Sequence, residues 1–284
     1  MAPVPHPSAA NAYGADFVER VLDDALSHAA RVYAIAGLQG SGKSTLAAQV
    51  AARARERGLR VAVLSVDDCY LGRRERARLG RQVHPLLATR GPPGTHEPEL
   101  ACATLDALRA CGAARLPRFD KLGDRRLPPS RWPQVRGIDL TLFEGWFLKT
   151  PAQTAQELSA PVNALEREED PDGAWRGYCN RALANDYPPL WARLDRLLFL
   201  RPPGFGRVPE WRWQQECALQ AASPGRVGMD RAQIERFVRL FERVSRQALA
   251  RLPEIADWTV ALDARRRVLG QAGAPPRMGA LTRR

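Results

Sequence analysis

The sequence predicts an α/β fold, a doubly wound parallel sheet with helices on both faces. The first observation is a short apolar strand, a glycine-rich loop, a helix and a second apolar strand in succession between Tyr33 and Val66. The second is that short apolar segments alternate with helical segments over the rest of the chain. Because parallel strands are joined by crossover connections, usually helices, this order predicts a sheet covered on both faces.

Hydrophobic periodicity and chain-breaking residues define the individual elements. Helices are predicted over residues 15–30, 43–57, 97–111, 173–193, 210–222 and 231–252. Strands are predicted over residues 31–36, 59–66, 138–147, 194–203 and 257–263. Gly58 and Gly112 follow two of the helices at the position of a C-terminal cap, so both helices are predicted to end there.

The chain is predicted to form one domain over residues 13–265, with no internal repeat and no clear linker. Residues 1–12 contain three prolines and no periodicity and are predicted to be disordered, and residues 266–284 are predicted to form a basic, flexible tail. Two segments rich in arginine, glycine and proline, about 68–98 and 116–136, interrupt the alternation. Long loops inside a compact domain are usually functional, so we interpret them as substrate-binding insertions, the first and the second insertion.

The composition is typical of a soluble globular protein, with 284 residues of which 45% are hydrophobic and 26% charged. No apolar run approaches the roughly 18 residues of a membrane span, and the N-terminus lacks the pattern of a secretory signal. We therefore expect a cytoplasmic protein without a membrane partner. Five scattered cysteines without a C-x-x-C pair argue against a disulfide framework and against a zinc site.

The chain is strongly basic, with a formal net charge of +12 and a pI near 10.3. Its arginines are spread along the sequence rather than concentrated with aromatic residues in one segment, so nucleic acid is not the expected partner. The arginine-rich C-terminal tail could contact nucleic acid or be solvated. A basic surface favours small anionic ligands such as nucleotides and sugar acids. The sequence leaves the oligomeric state open.

The most specific motif is "GLQGSGKS", residues 37–44, which matches the pattern G-x-x-x-x-G-K-[ST] of a phosphate-binding loop, or P-loop. Its glycines allow successive N–H groups to close around phosphate oxygens, and the helix that follows directs its positive end at them. Lys43 is predicted to reach the β- and γ-phosphates and Ser44 to ligate Mg²⁺. The predicted nucleotide-binding residues are Gly37, Gly40, Ser41, Gly42, Lys43, Ser44 and Thr45, and the expected cofactors are ATP and Mg²⁺.

Acidic residues end two of the predicted strands. Asp67 and Asp68 follow the strand after the P-loop helix, and Glu144 ends the strand "IDLTLFE". Ligands of open parallel sheets bind beyond the carboxyl ends of the strands, so these acids are expected to face the γ-phosphate. Asp67 is the candidate base, with Asp68 as the alternative, and Glu144 is predicted to organise Mg²⁺ or to share the role of base. The predicted metal-site residues are Ser44, Asp67 and Glu144.

Three other classes of nucleotide-binding protein lack support in the sequence. A GTPase switch requires a guanine-reading N-K-x-D segment, and a transport ATPase requires L-S-G-G-Q; neither occurs. The strand end "VDDCYL" also lacks the acid–Glu pair common in motor ATPases. A small-molecule kinase fits these observations best.

Several motifs resemble, in their order, those of the D-glycerate 3-kinase-like family of P-loop kinases, which is related to uridine kinase, phosphoribulokinase and pantothenate kinase. The motifs are "SVDDCYLGRRER", "HPLLATRGPPGTHE", "FDKLGDR", "FEGWF" and "PEWRWQQE". The resemblance extends from Tyr33 to Asp263. It implies a P-loop NTPase fold and ATP-dependent phosphorylation of the 3-hydroxyl of D-glycerate, which gives 3-phosphoglycerate. The sequence departs from the family at Cys69, where an aromatic residue is usual, and at "KLGDR", which is a shortened run.

The resemblance also implies an acceptor pocket. The implied residues are Asp67, Arg90, Thr95, His96, Asp120, Lys121, Asp124 and Arg125. An arginine fork suits the carboxylate of a small acid, and Arg90 and Arg125 lie in the two insertions. His96 could bind substrate or be structural. Asp120 and Asp124 could orient hydroxyls or cap the turn.

Residues 201–222 resemble the lid segment of the family, and we use that name for them. An arginine from such a lid would stabilise charge on the transferring phosphoryl group. Arg212 is the first candidate and Arg207 the second, and Trp211 and Trp213 are expected to pack in the core. The predicted catalytic residues are Lys43, Asp67, Glu144 and Arg212. Two alternatives remain: a kinase acting on another acceptor, such as uridine, pantothenate or a sugar phosphate, and a non-catalytic ATP-binding regulatory protein.

Overall fold

The computed structural model of the protein describes residues 12–222 and 228–272. Its strands are β1 (Val32–Gly37), β2 (Val61–Ser65), β3 (Ala113–Arg115), β4 (Phe119–Asp120), β5 (Arg125–Arg126), β6 (Gln134–Arg136), β7 (Leu140–Gly145), β8 (Arg196–Arg201), β9 (Trp258–Leu262) and β10 (Val268–Ala272). Its α-helices are α1 (Ala15–Ser27), α2 (Lys43–Glu56), α3 (Arg73–Gln82), α4 (Pro98–Arg109), α5 (Ala155–Ser159), α6 (Ala164–Glu169), α7 (Ala174–Asn185), α8 (Pro188–Trp191), α9 (Val208–Ala222) and α10 (Arg231–Ile255).

Six strands form the central sheet in the order β10-β9-β8-β1-β7-β2. The five from β9 to β2 run parallel, and β10 is antiparallel to β9. In this register Glu144 of β7 pairs with both Ile35 of β1 and Ser65 of β2. The carboxyl ends of β1, β2 and β7 therefore lie level at one edge of the sheet, and this positions the candidate site.

Alternating strand residues enter two cores, because successive side chains of a strand point to opposite faces. Tyr33 and Ile35 pack against apolar residues of α1 and α2 on one face. Ala34 and Ala36 belong to the core on the other face, which α4, α7 and α10 cover. Helices thus cover both faces of a mostly parallel sheet, which confirms the predicted fold class.

The first insertion contains a helix that the periodicity does not predict. This helix, α3, has the sequence "RRERARLGRQ", and its buried residue is a charged one, Arg76. Arg76 is 1% exposed, pairs with Asp124 at 2.8 Å and donates to the carbonyl of Leu71 at 3.1 Å. A buried arginine therefore packs this helix against the second insertion, in place of the apolar stripe that an amphipathic helix normally shows.

The C-terminal end of the domain also differs from the prediction. The sequence predicts a basic tail over residues 266–284, whereas Val268–Ala272 form β10 against β9. Residues 273–284, like residues 1–11, lie outside the described residues. Within the described parts of the chain, the helices are too short or too polar to cross a bilayer.

Candidate active site

The P-loop connects β1 to α2 at the carboxyl edge of the sheet. Gly40 and Gly42 have φ angles of 79° and 92°, in the left-handed region that favours glycine. A side chain at Gly40 would also lie 2.6 Å from Cβ of Trp211. The tight turn therefore depends on glycine both for its backbone angles and for its packing.

Lys43 begins α2 and is 9% exposed. Its Nζ donates to the carbonyl of Leu38 at 3.2 Å. Burial lowers the pKa of Lys43, and the nearby carboxylates of Glu144 and Asp67 oppose that shift. A partly desolvated ammonium held inside the loop is suited to bind an anion, because an anion would offset the cost of burying the charge.

Ser44 joins the P-loop helix to the end of β7. Its hydroxyl donates to Oε1 of Glu144 at 3.0 Å, and Glu144 is 8% exposed. Thr45 is half-buried in the next position of α2. The pair of oxygens on Ser44 and Glu144 is the local donor set that could hold a divalent cation.

The two aspartates after β2 have different surroundings. Ser65 caps the 3₁₀ turn Val66–Cys69, and Asp68 completes this capping box by accepting from the backbone N–H of Ser65 at 3.3 Å. Asp68 also accepts from the backbone N–H of Phe119 at 3.3 Å and from Arg118 at 3.1 Å. Burial raises the pKa of Asp68, although Arg118 opposes this. Asp68 thus connects the turn to the second insertion.

Asp67 instead faces the P-loop. Lys121 donates to its Oδ2 at 2.7 Å, and the Tyr70 hydroxyl donates to its Oδ1 at 2.9 Å. Burial alone would raise the pKa of Asp67, but the charge and hydrogen bond of Lys121, assisted by Tyr70, hold it well below its usual range. The group is therefore a stable carboxylate at neutral pH.

These side chains meet around a cavity of about 160 Å³. Lys43, Lys121 and Arg212 supply three positive charges, and Asp67 and Glu144 supply two negative charges. The remaining lining residues are Gln39, Gly40, Ser44, Gly145, Trp146 and Gln215.

Three side chains of the lining have buried polar atoms without a hydrogen-bond partner among the described residues. The unpaired atoms are Nε2 and Oε1 of Gln39, Nε1 of Trp146 and Nε of Arg212. Buried polar groups in folded proteins are usually paired, so unpaired ones around a polar cavity indicate a bound ligand or ordered water. The surplus of positive charge suits a phosphate-bearing ligand.

The lid segment places Arg212 over this cavity. Trp211 is 1% exposed and donates from its indole to the carbonyl of Ala264 at 3.0 Å, which anchors the first turn of α9. Arg212 donates to Gln215 at 2.6 Å, and burial lowers its pKa. Arg207 is exposed in the 3₁₀ turn Phe205–Arg207. Of the two lid arginines named from the sequence, Arg212 is the one that lines the cavity.

Arg90 lies at the junction of the two insertions. It pairs with Asp124 at 2.5 Å, donates to the carbonyl of Lys121 at 3.0 Å and stacks over Phe119 at 5.6 Å. Asp124 also pairs with the buried Arg76 and has a left-handed φ of 48°. Asp124 is therefore a structural partner of both arginines, and it sets the position of the turn that carries Lys121.

Three other predicted acceptor residues use their polar atoms within their own loops. The Thr95 hydroxyl donates to the carbonyl of Pro92 at 2.7 Å and accepts from the N–H of Gly91 at 3.0 Å. Asp120 accepts from the N–H of Gly123 at 2.9 Å and pairs with Arg125 at 3.3 Å. The Arg125 side chain is 67% exposed.

His96 is buried between aromatic rings. It stacks on Tyr70 at 4.4 Å, and its Nδ1 lies 2.8 Å from the hydroxyl of Tyr187, which also accepts from the N–H of Gly94. Its Nε2 is buried and has no partner among the described residues. Burial lowers the pKa of His96 to about 4, so its ring is neutral at pH 7.

Sequence reasoning missed four residues that shape the site. Tyr70 bonds Asp67 and could have been noticed from its position in "DDCY". Arg118 distinguishes the two aspartates, and Tyr13 and Arg266 bond carbonyls of the P-loop. These three are distant in sequence from their partners, and no local pattern indicates the contacts.

Comparison with known proteins gives two kinds of sequence match. The family model described as Methylmalonyl Co-A mutase-associated GTPase MeaB matches residues 7–74, a minority of the chain that contains the P-loop unit. An uncharacterized kinase, mug58, of Schizosaccharomyces pombe is 32% identical over 67% of this chain and 71% of its own length. The chloroplastic D-glycerate 3-kinase of Arabidopsis thaliana is 30% identical over 70% of this chain but only 43% of its own length.

The fold agrees with these matches. D-glycerate 3-kinase from Cryptococcus neoformans superposes with a TM-score of 0.77 over 92% of this chain and 100% of that one, at 23% identity. The similarity to the Schizosaccharomyces kinase covers most of both proteins, so the chain is a kinase and a phosphotransferase. The similarity to the Schizosaccharomyces kinase, the P-loop and the motifs of the two insertions together show that the chain belongs to the D-glycerate 3-kinase-like family of P-loop kinases.

Proposed function

We propose that this kinase transfers the γ-phosphate of ATP to a hydroxyl of a small acid, converting D-glycerate to 3-phosphoglycerate. The observation that carries the proposal is the cavity at the carboxyl edge of the sheet, where three cations and two carboxylates converge beside the P-loop. The Arabidopsis relative supports D-glycerate as the acceptor. We expect the reaction to take place in the cytoplasm.

The nucleotide phosphates are assigned to the P-loop, Gly37–Thr45. The left-handed glycines curve the backbone, and the N-terminus of α2 adds a positive dipole end and the ammonium of Lys43. Because burial weakens the hydration of that ammonium, phosphate oxygens are its natural partners. Ser41 is fully buried within the loop.

The site also fits Mg²⁺. Oxygens at about 2.1 Å from an octahedral ion lie about 3 Å from each other, which matches the 3.0 Å between Ser44 Oγ and Glu144 Oε1. Magnesium in nucleotide sites is commonly held by one or two protein groups plus phosphates, so a larger acidic cluster is not required. Bound Mg²⁺ would neutralise phosphate charge, with Ser44 and Glu144 as ligands and Asp67 close by.

Asp67 is assigned as the base. As the bond from the γ-phosphorus to the ADP oxygen breaks, the acceptor oxygen bonds to phosphorus and its proton passes to Asp67. A carboxylate has about four acceptor positions, and Lys121 and Tyr70 occupy two of them, so the acceptor hydroxyl has room to bind. Such transfers depend mainly on positioning and charge stabilisation, so the low pKa of Asp67 is compatible with this role.

Arg212 and Lys121 are assigned to the transferring group, since both are cationic and line the cavity. The acceptor carboxylate is assigned to the junction of the two insertions, where Arg90 is the better placed of the two predicted arginines. Arg90 is held by Asp124 and by a carbonyl, whereas the Arg125 side chain is 67% exposed. His96, which is neutral and whose Nε2 has no partner in the described parts of the chain, is assigned to a hydroxyl of the acceptor.

The test is a coupled assay of ADP release with MgATP and separate additions of D-glycerate, L-glycerate, uridine, pantothenate and ribulose 5-phosphate. Phosphorus NMR identifies the product. We expect release with D-glycerate alone and a 3-phosphate product. Release with a different acceptor would retain the kinase and reject glycerate.

The Asp67→Asn variant distinguishes catalysis from nucleotide binding alone. Asparagine keeps the shape of the side chain but cannot accept the hydroxyl proton. We expect this variant to bind MgATP and to lose turnover. A wild-type protein that binds MgATP without consuming it with any of the five acceptors would instead indicate a regulatory ATP-binding protein.

A further inference from the structure

We propose that Tyr13 and Arg266 are positioning residues that hold the P-loop in its nucleotide-binding conformation from outside the cavity. This inference rests on the proposed function, since it assumes that the loop binds nucleotide phosphates. Neither side chain is among those that line the cavity. Each bonds one backbone carbonyl of the loop, Ser41 for Tyr13 and Gly40 for Arg266.

The backbone of Tyr13 is bonded to the P-loop helix α2, and its side chain extends from there to the loop. Its backbone N–H donates to the side chain of Gln49 in α2 at 3.0 Å, and its carbonyl accepts from the same amide at 2.9 Å. Its hydroxyl then donates to the carbonyl of Ser41 at 2.7 Å. Burial raises the pKa of Tyr13, so the hydroxyl stays a donor across the physiological range.

The bond to Ser41 determines which way the next N–H points. In a trans peptide the carbonyl of one residue and the N–H of the following residue point in opposite directions. Since the Ser41 carbonyl points at Tyr13, the N–H of Gly42 points away from it, to the side where a phosphate would bind. Gly42 has a φ of 92°, and glycine allows a peptide to rotate at little cost, so an external bond is needed to fix this orientation.

Arg266 restrains the preceding peptide in the same way. Its Nε donates to the carbonyl of Gly40 at 2.6 Å, and the N–H of Ser41, on the other side of that peptide, donates to the carbonyl of Leu38 at 3.1 Å. The Arg266 guanidinium also lies 4.9 Å from the ring centre of Trp211. It therefore connects the P-loop to the first turn of the helix that carries Arg212.

The backbone of Arg266 provides an independent observation. Arg266 has a φ of 65° in the turn between β9 and β10, which is closed by bonds from Arg266 N–H to Asp263 and from Asp263 N–H to Arg267. In hairpin turns of this kind the left-handed position is normally occupied by glycine. An arginine there indicates that its side chain is needed, and the contacts with Gly40 and Trp211 are two uses of it within the described residues.

The experiment measures the dissociation constant of MgADP by titration calorimetry for the full-length protein and for two variants, Tyr13→Phe and Arg266→Gly. Each variant removes one carbonyl bond, and the first keeps the aromatic ring. We expect each to weaken MgADP binding by about 3-fold to 10-fold, the usual effect of one buried hydrogen bond.

Two control variants separate positioning from stability and charge. Tyr33→Phe removes a buried hydroxyl that donates to Asp24 rather than to the P-loop. Arg265→Gly removes one exposed charge from the same turn as Arg266. We expect Tyr33→Phe to lower the unfolding temperature, and both controls to keep the wild-type MgADP affinity. For Arg266→Gly we expect an unfolding temperature near that of the wild type.

Equal MgADP affinity in the wild type, Tyr13→Phe and Arg266→Gly would overturn the inference and leave the proposed function intact. Equal losses in the variants and their matched controls would also overturn it, since the effect would then follow from stability or net charge. A wild-type protein that binds no MgADP would overturn the proposed function and this inference with it.

Discussion

Nζ of Lys121 lies 2.7 Å from Oδ2 of Asp67 and pairs the turn of the second insertion with the carboxylate that follows β2. The two residues are far apart in sequence, and both line the cavity. Because Lys121 is the main cause that holds the pKa of Asp67 down, the pair sets the pH range in which Asp67 can accept a proton.

The Lys121→Ala variant should raise the pKa of Asp67, because burial would then act with less opposition. Opposite charges at this distance typically shift a carboxyl pKa by about 1 to 3 units. The acid limb of kcat/KM should therefore move to higher pH by about one unit or more. The measurement is a pH profile of kcat/KM, with Arg131→Ala as a control that removes an exposed charge from the same insertion. An unshifted acid limb in Lys121→Ala would show that Asp67 does not control the profile.

Arg212→Ala should lower kcat by about 10³-fold, since an arginine that contacts the transferring phosphoryl group contributes on that order. The KM for ATP should change far less, because the P-loop is untouched. Arg207→Ala removes the exposed arginine one turn earlier and should change kcat by less than about 3-fold. Similar kcat values for the two variants would reject Arg212 as the phosphoryl-binding arginine.

Ser44→Ala and Glu144→Gln should each raise the Mg²⁺ concentration for half-maximal activity by at least about 10-fold to 100-fold, since even changes to groups that only support metal ligands have effects of this size. The two oxygens are 3.0 Å apart, so their effects should be coupled. The double variant should lose less than the product of the two single losses. A Mg²⁺ titration at saturating ATP measures all three, and strictly multiplicative losses would argue against a shared ion.

His96→Gln should make the protein less sensitive to acid. The pKa of His96 is about 4 in the folded state and about 6.5 when unfolded, so its stabilising contribution is complete above pH 6.5 and is lost as pH falls towards 4. Between pH 7 and pH 5 this loss amounts to about 2 kcal/mol in the free energy of unfolding. Urea unfolding at both pH values measures it. The exposed His28→Gln control should retain the wild-type loss, and a wild-type loss in His96→Gln would contradict the prediction.

The parts of this protein with local signals were predictable from sequence. Apolar runs gave the five parallel strands, and the P-loop pattern located the site at their carboxyl edge. Glu144 and Asp67 were found because they directly follow such runs. The different surroundings of Asp67 and Asp68 were not accessible from the sequence, since they depend on capping by Ser65 and on Arg118, which lies 50 residues beyond Asp68 in the chain.

Other features depend on contacts that a sequence pattern does not record. The α3 helix has a buried arginine in place of an apolar stripe, and β10 lies in a segment that the sequence predicts to be part of a basic tail. Thr95 and Asp120 stand in motifs of the acceptor pocket, yet their polar atoms are used within their loops. The disorder of residues 1–12, the N-terminal limit of the domain and the absence of nucleic acid as a partner stay predictions.

Arg76 has a consequence for exchanging the two insertions between members of the family. Its guanidinium joins α3 of the first insertion to Asp124 of the second, and Asp124 in turn holds Arg90. A chimera that imports one insertion alone would leave a buried guanidinium or its carboxylate unmatched, which commonly costs about 3 to 5 kcal/mol. We therefore expect the two insertions to behave as one exchangeable unit, so that a chimera folds stably only when both come from the same parent.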